Sequence, residues 1–241
     1  MRMTTLARQR GMSLVELMVG ITVGLIVTAA ASMVAVNQIT EHRRLMLETQ
    51  LQQDLRSAGD LIQQDIRRAG FRGLTGWGVW APASGVGSAL EVPALPASAN
   101  NFTAVAVSGD KHTLTYQYAR NLNGAKVDEP QENEHFGVQW RPGTKTLYLL
   151  IGKPGGAPNW QPITDPDIIE ITDFNVELVT QTIPLEDFCD CVGSACTSSP
   201  QQEVRRVNIT MEGHAKHDSQ VVRSLSVTQK LRADNVTGSC S

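Results

Sequence analysis

Apolar residues are arranged in three successive ways along this chain. Residues 17–36 carry no charge and are almost continuously apolar. About twenty such residues suffice for a helix to cross a hydrocarbon layer of about 30 Å. Next, Leu47, Leu51, Leu55, Ala58, Ile62, Ile66 and Ala69 recur at spacings of three and four among charged and amide side chains, the signature of a helix with one core-facing stripe. After Gly70 the pattern changes to short strand-like runs at residues 103–108, 113–118, 137–141, 146–151, 168–179, 204–211 and 221–231. These patterns predict one helix over residues 12–69, on the order of 85 Å long at about 1.5 Å per residue. Strands that follow in a run, without alternating helices, predict an α+β fold with a mostly antiparallel sheet.

Punctuation refines this reading. Gly59 costs a helix about 1 kcal/mol against Ala and is read as a soft point. Gly70 is a natural helix stop, reinforced by Gly73, Gly76 and Gly78. Residues 77–101, rich in Gly, Pro, Ala and Ser, read as an irregular loop. Arg141-Pro142-Gly143-Thr144 fits a type II turn, with Gly at the position that needs positive φ. Val204, Val207 and Ile209 facing Val222, Leu225 and Val227 across a loop at 213–219 predict a hairpin. The stripe is too short for the sustained heptads of a coiled coil, so packing on the chain's own sheet is expected. The predicted organisation is a basic leader at 1–11, a membrane-length helix at 12–36, its amphipathic continuation at 37–70 and a β-rich head at 71–241.

Charge sets the orientation. Arg2, Arg8 and Arg10 precede the apolar run without an acid, while Glu41, Arg43 and Arg44 follow it; basic flanks stay on the cytoplasmic side. A secretory signal is cut after its apolar stretch. Here Gly11 stands before that stretch in Arg10-Gly11-Met12-Ser13-Leu14-Val15-Glu16-Leu17-Met18, so a cut at the glycine leaves the apolar segment on the mature chain. Glu16 needs a partner or a role, since a carboxylate near a membrane helix is costly. Gly20-x-x-x-Gly24 with Thr28 places small groups on one helix face, which lets membrane helices approach closely.

This order of charge, glycine, apolar residues and acid resembles a type IV prepilin. The segment Asp65-Ile66-Arg67-Arg68-Ala69-Gly70-Phe71 looks like the helix end of PilW-type minor pilins, a feature shared by the J-type minor pseudopilins of type II secretion. The resemblance implies that prepilin peptidase cuts between Gly11 and Met12 and that the new Met12 amine is N-methylated. It also implies that Glu16 pairs with a neighbouring subunit's amine to set register. Met12 departs from the aromatic usual after the cut, but the peptidase depends chiefly on the glycine. The implied function is that of a minor pilin in a priming or tip complex that supports pilus assembly, adhesion or twitching motility. Other minor pilins, the major pilin and a tip adhesin are its implied partners. The head lies in the periplasm, with the helix in inner-membrane lipid, until assembly carries the subunit into the pilus. A minor pseudopilin is the nearest alternative, and a membrane-anchored periplasmic binding protein or enzyme a remote one.

Four cysteines, Cys189, Cys191, Cys196 and Cys240, all lie late, and an exported chain with an even number of thiols is expected to form disulfides. Cys189 and Cys191 are too close to bridge without strain. Cys196 then pairs with Cys191 or Cys189, and the other with Cys240; Cys191–Cys196 with Cys189–Cys240 is the preferred arrangement. The C-x-C-x4-C spacing does not match a zinc site. His214 and His217 fall in the predicted hairpin loop and read as a solvated pair. Asp165, Asp167, Glu186, Asp187 and Asp190 follow no calcium-loop signature. No nucleophile motif is present, so neither enzymatic activity nor a cofactor is expected. A net charge of −3 with scattered basic residues argues against a dedicated nucleic-acid surface.

Overall fold

The computed structural model describes residues 11–73, 100–120, 129–185, 201–232 and 234–237. The chain divides into two units, Met1–Leu47 and Glu48–Ser241. One helix, α1 (Leu14–Ile66), is 53 residues long. Its apolar part is exposed throughout, from Leu14 at 73% to Met46 at 60%. Its last turns supply Leu51, Leu55, Ala58, Ile62 and Ile66 to the core of the second unit, each at most 3% exposed. The expected stripe is therefore the buried face, and it packs on the chain's own sheets.

Among the described residues nine strands make two antiparallel sheets where one was expected. The first has the order β1 (Val105–Val107), β2 (Thr113–Gln117), β3 (His135–Arg141), β4 (Thr146–Ile151), β5 (Trp160–Pro162). The second places β7 (Gln201–Ala215) between β6 (Ile169–Pro184) on one side and both β8 (Asp218–Lys230) and β9 (Asn235–Thr237) on the other. β5 and β9 have three residues each, and β5 contains Pro162; neither offers enough alternation to be read from sequence. The two sheets are tied by hydrogen bonds from Trp140 Nε1 to the Ile171 carbonyl at 3.2 Å and from the Val176 N–H to the Lys111 carbonyl at 3.0 Å.

The β7–β8 hairpin pairs Ile209 with Val227 and Met211 with Leu225. Its turn is tighter than the predicted 213–219 loop: only Lys216 and His217 lie between the strands. In the β3–β4 connection the Thr144 N–H donates to the Arg141 carbonyl at 3.2 Å. The left-handed residue there is Lys145 (φ 52°), not Gly143, so the turn is not the expected type II. Gly59 is not a soft point either. A Cβ there would lie 2.6 Å from Leu225 Cδ2 and 3.3 Å from Val227 Cγ2, so the glycine lets α1 approach β8 closely. Nearby, Arg223 Nη2 on β8 meets Glu48 Oε2 at 2.7 Å.

Candidate functional site

The first candidate site is the start of α1. Gly11, Met12 and Ser13 precede the helix and are exposed, and a Cβ at Gly11 would meet nothing within 4 Å. The Leu17 N–H donates to the Ser13 carbonyl at 3.1 Å, so the helical ladder starts two residues past the Gly11–Met12 bond. That bond lies in open, non-helical backbone. Glu16 stands in the first turn, where the helix dipole favours negative charge.

The apolar stretch that follows also satisfies its own hydroxyls. Thr22 Oγ1 donates to the Met18 carbonyl at 3.1 Å, Thr28 Oγ1 to Gly24 at 2.7 Å, Ser32 Oγ to Thr28 at 2.8 Å and Thr40 Oγ1 to Val36 at 2.9 Å. Each hydroxyl is satisfied within its own helix, which is what a hydrocarbon surrounding demands. An 18-residue window of α1 has mean hydropathy 2.2, enough by length and composition to cross a membrane. Added Cβ atoms at Gly20 and Gly24 would meet nothing within 4 Å.

A family model described as the prokaryotic N-terminal methylation motif matches residues 6–32, the stretch containing Gly11, Met12, Glu16 and most of the apolar run. A second, described as prepilin peptidase-dependent protein B, matches residues 44–231, well over half of the chain. The chain belongs to the prepilin peptidase-dependent protein B family. Comparison with curated proteins and with solved structures gives no match. As a member of that family carrying the methylation motif, the chain is a prepilin peptidase-dependent, pilin-like protein. Its long N-terminal apolar helix and antiparallel sheets form a pilin-like α+β architecture.

In this family member the segment Asp65–Phe71, singled out above, is where the helix docks on β2. The hydroxyl of Tyr116 donates to Asp65 Oδ2, and that of Tyr118 to Asp65 Oδ1 at 2.8 Å. Tyr118 stacks on Phe136 with centroids 3.8 Å apart. Burial, then the adjacent Asp65 charge, pushes the Tyr118 hydroxyl up to about 12 and that of Tyr116 well above its ordinary value. Both tyrosines therefore stay protonated as donors. Gly70 takes the left-handed conformation (φ 81°) that commonly ends a helix. The Gly70 N–H donates to the Gln117 carbonyl at 2.8 Å, and the Ala119 N–H to the Phe71 carbonyl at 2.7 Å. Beside this junction Glu134, fully buried, accepts the backbone N–H groups of Arg120 and Gln131 at 2.8 Å each. Tyr116, Tyr118 and Glu134 escaped sequence reading, because a tyrosine on a strand and a glutamate before one carry no local signature.

The remaining candidates separate. All four cysteines, with Glu186, Asp187 and Asp190, lie outside the described residues. His214 is not in a solvated loop: it sits on β7, its Nε2 3.5 Å from Glu170 Oε2. Lys145 Nζ lies 2.6 Å from the same oxygen. That hydrogen bond, with the charges of Lys145, His214 and Lys216, holds the Glu170 carboxyl below its usual range. Asp165 Oδ1 accepts the Asp167 N–H at 2.9 Å, a local turn bond. Among the described residues no three His, Cys, Asp or Glu side chains group as metal ligands would.

Proposed function

We propose that the protein is a PilW-like minor pilin of a type IV pilus. Prepilin peptidase cuts between Gly11 and Met12, the Met12 amine is N-methylated, and the mature subunit joins a priming or tip complex that promotes pilus assembly and supports adhesion or twitching. Before assembly the chain crosses the inner membrane once, with its N-terminus cytoplasmic and its head periplasmic. The observation that carries this reading is the exposed Gly11–Met12 bond directly before the apolar start of α1, with Glu16 in the first turn. A cut there leaves an amine at the very end of the helix, close enough in sequence for the Glu16 carboxylate of an adjacent subunit to seek it. In lipid such a pair is favourable only when both charges meet, so it acts as a register device.

The test is N-terminal mass spectrometry of the protein recovered from sheared pili. A methylated chain beginning at Met12 is expected, and Gly11→Val should leave the leader attached and the protein in the inner membrane. A mature chain that begins elsewhere overturns the proposal. A correctly cut chain confined to a secretion apparatus and absent from pili would reassign it to the J-type pseudopilins.

A further inference from the structure

At the C-terminal end of α1 lies a groove of about 560 Å³ lined by Arg67, Arg68, Arg120, Arg232, Phe71 and Tyr118, among others, and by no acidic side chain of the described residues. The four arginines come from three places in the chain: the segment closing α1, the end of β2 and the end of β8. All four are exposed. Arg67 and Arg68 by themselves have a plain structural use, since cations favour a helix C-terminus. Arg120 and Arg232 have no helix end to serve, yet they converge on the same space.

Two carboxylates near the groove are committed elsewhere: both oxygens of Asp65 accept tyrosine hydroxyls, and both oxygens of Glu134 accept backbone N–H groups. One of the arginines is also placed by a ring: the Arg120 guanidinium lies 5.8 Å from the Phe136 ring centroid. Phe71, 39% exposed, adds an apolar surface.

We propose that this groove binds an acidic peptide segment of a partner protein. Guanidinium forks match carboxylates in paired hydrogen bonds, Phe71 offers a seat for one apolar side chain, and the volume lies within the range of about 300–1,000 Å³ typical of ligand sites. A single-stranded nucleic acid is the less suitable occupant. It needs a positive track along several nucleotides together with stacking platforms, whereas this cluster is compact and the chain's net charge is −3. The site belongs to the head alone and stands whichever filament the protein joins.

The experiment uses the full-length protein in detergent micelles and fluorescence anisotropy of a labelled hexaglutamate peptide, with hexaglutamine as the uncharged control. Saturable binding of hexaglutamate and none of hexaglutamine is expected. The double variant Arg67→Ala/Arg120→Ala should weaken it about tenfold or more, the scale of losing charge-assisted hydrogen bonds. Arg206→Ala, an exposed arginine on β7 outside the groove, should leave it unchanged. Should circular dichroism show the double variant misfolded, Arg232→Glu decides, since Arg232 is exposed and lies beyond the end of β8. No saturable hexaglutamate binding, or binding indifferent to Arg232→Glu, overturns the proposal. Tighter binding of a twenty-nucleotide oligothymidine, lost in the same variants, overturns it in favour of nucleic acid.

Discussion

Gly24 and Gly59 lie on the same helix and serve opposite ends. A Cβ at Gly24 would meet nothing within 4 Å, whereas one at Gly59 would lie 2.6 Å from a leucine methyl on β8. The same contrast runs through the leucines: Leu25 is 65% exposed and Leu55 2%. In the first stretch, apolar residues surround the helix and none is buried, a pattern that suits a membrane span. In the second, they are confined to one stripe, and the chain's own sheets cover it. One helix thus carries two kinds of apolar surface, and sequence period alone tells them apart.

Leu55→Ala puts the contrast under the strongest strain. Emptying a fully buried site should cost the head about 3 kcal/mol, roughly 10 °C in Tm for a domain of this size. Leu25→Ala should leave the head's unfolding, followed by near-ultraviolet circular dichroism, where it is. Equal effects would mean that the two stretches are not distinct.

Glycines provide the second comparison. A Cβ at Gly137 would come within 2.5 Å of the Leu114 carbonyl oxygen. That backbone is fixed by the β2–β3 pairing, so Gly137→Ala should cost about 1–3 kcal/mol by the same measurement. Gly24→Ala, in open space, should not move the transition, and a destabilised Gly24→Ala head would contradict the assignment.

A smaller effect comes from pH. Burial, then the Lys153 charge, lowers the proton affinity of His135 in the folded state, and its Nδ1 lies 3.0 Å from Gln117 Nε2. With the amide as donor, that ring nitrogen must be an unprotonated acceptor. The unfolded chain therefore binds the proton more readily. The stability His135 contributes is present in full above about pH 6.5 and is lost as pH falls below it toward the lower folded-state value. His135→Gln should flatten that part of the Tm–pH curve; an unchanged curve would remove His135 as its source.

The smallest expected shift in stability is none at all. Glu16→Ala, in the exposed first turn, should leave the head's Tm unchanged while reducing the amount of protein that co-purifies with sheared pili. Undiminished recovery would deny Glu16 a role in assembly, and a lowered Tm would deny that its role lies outside folding.

Much of this was readable in the sequence because it is local. The long helix, its stripe, its glycine stop and seven of the nine strands among the described residues follow from period. What was missed depends on distance along the chain. Gly59 looks like a weakness until β8 arrives against it, and Gly143 looks like the left-handed residue until Lys145 takes that role. His214 reads as a loop residue because the bulge that carries β7 to Ala215 has no sequence signal. The arginine groove is assembled from residues 67, 68, 120 and 232, whose scatter hid the cluster.

The junction of Asp65 with Tyr116 and Tyr118 also has a mechanical meaning. These bonds lie at the far end of the buried stripe, beyond Leu51, Leu55, Ala58 and Ile62 when α1 is followed from its N-terminus. Tension applied to the head through the helix loads the stripe lengthwise, in shear. The contacts share that load along the stripe instead of parting one by one, and the tyrosine bonds and the Gly70–Gln117 and Phe71–Ala119 backbone pairs anchor its last rung. A head fastened in this way can bear a pull through its stalk without having to be large.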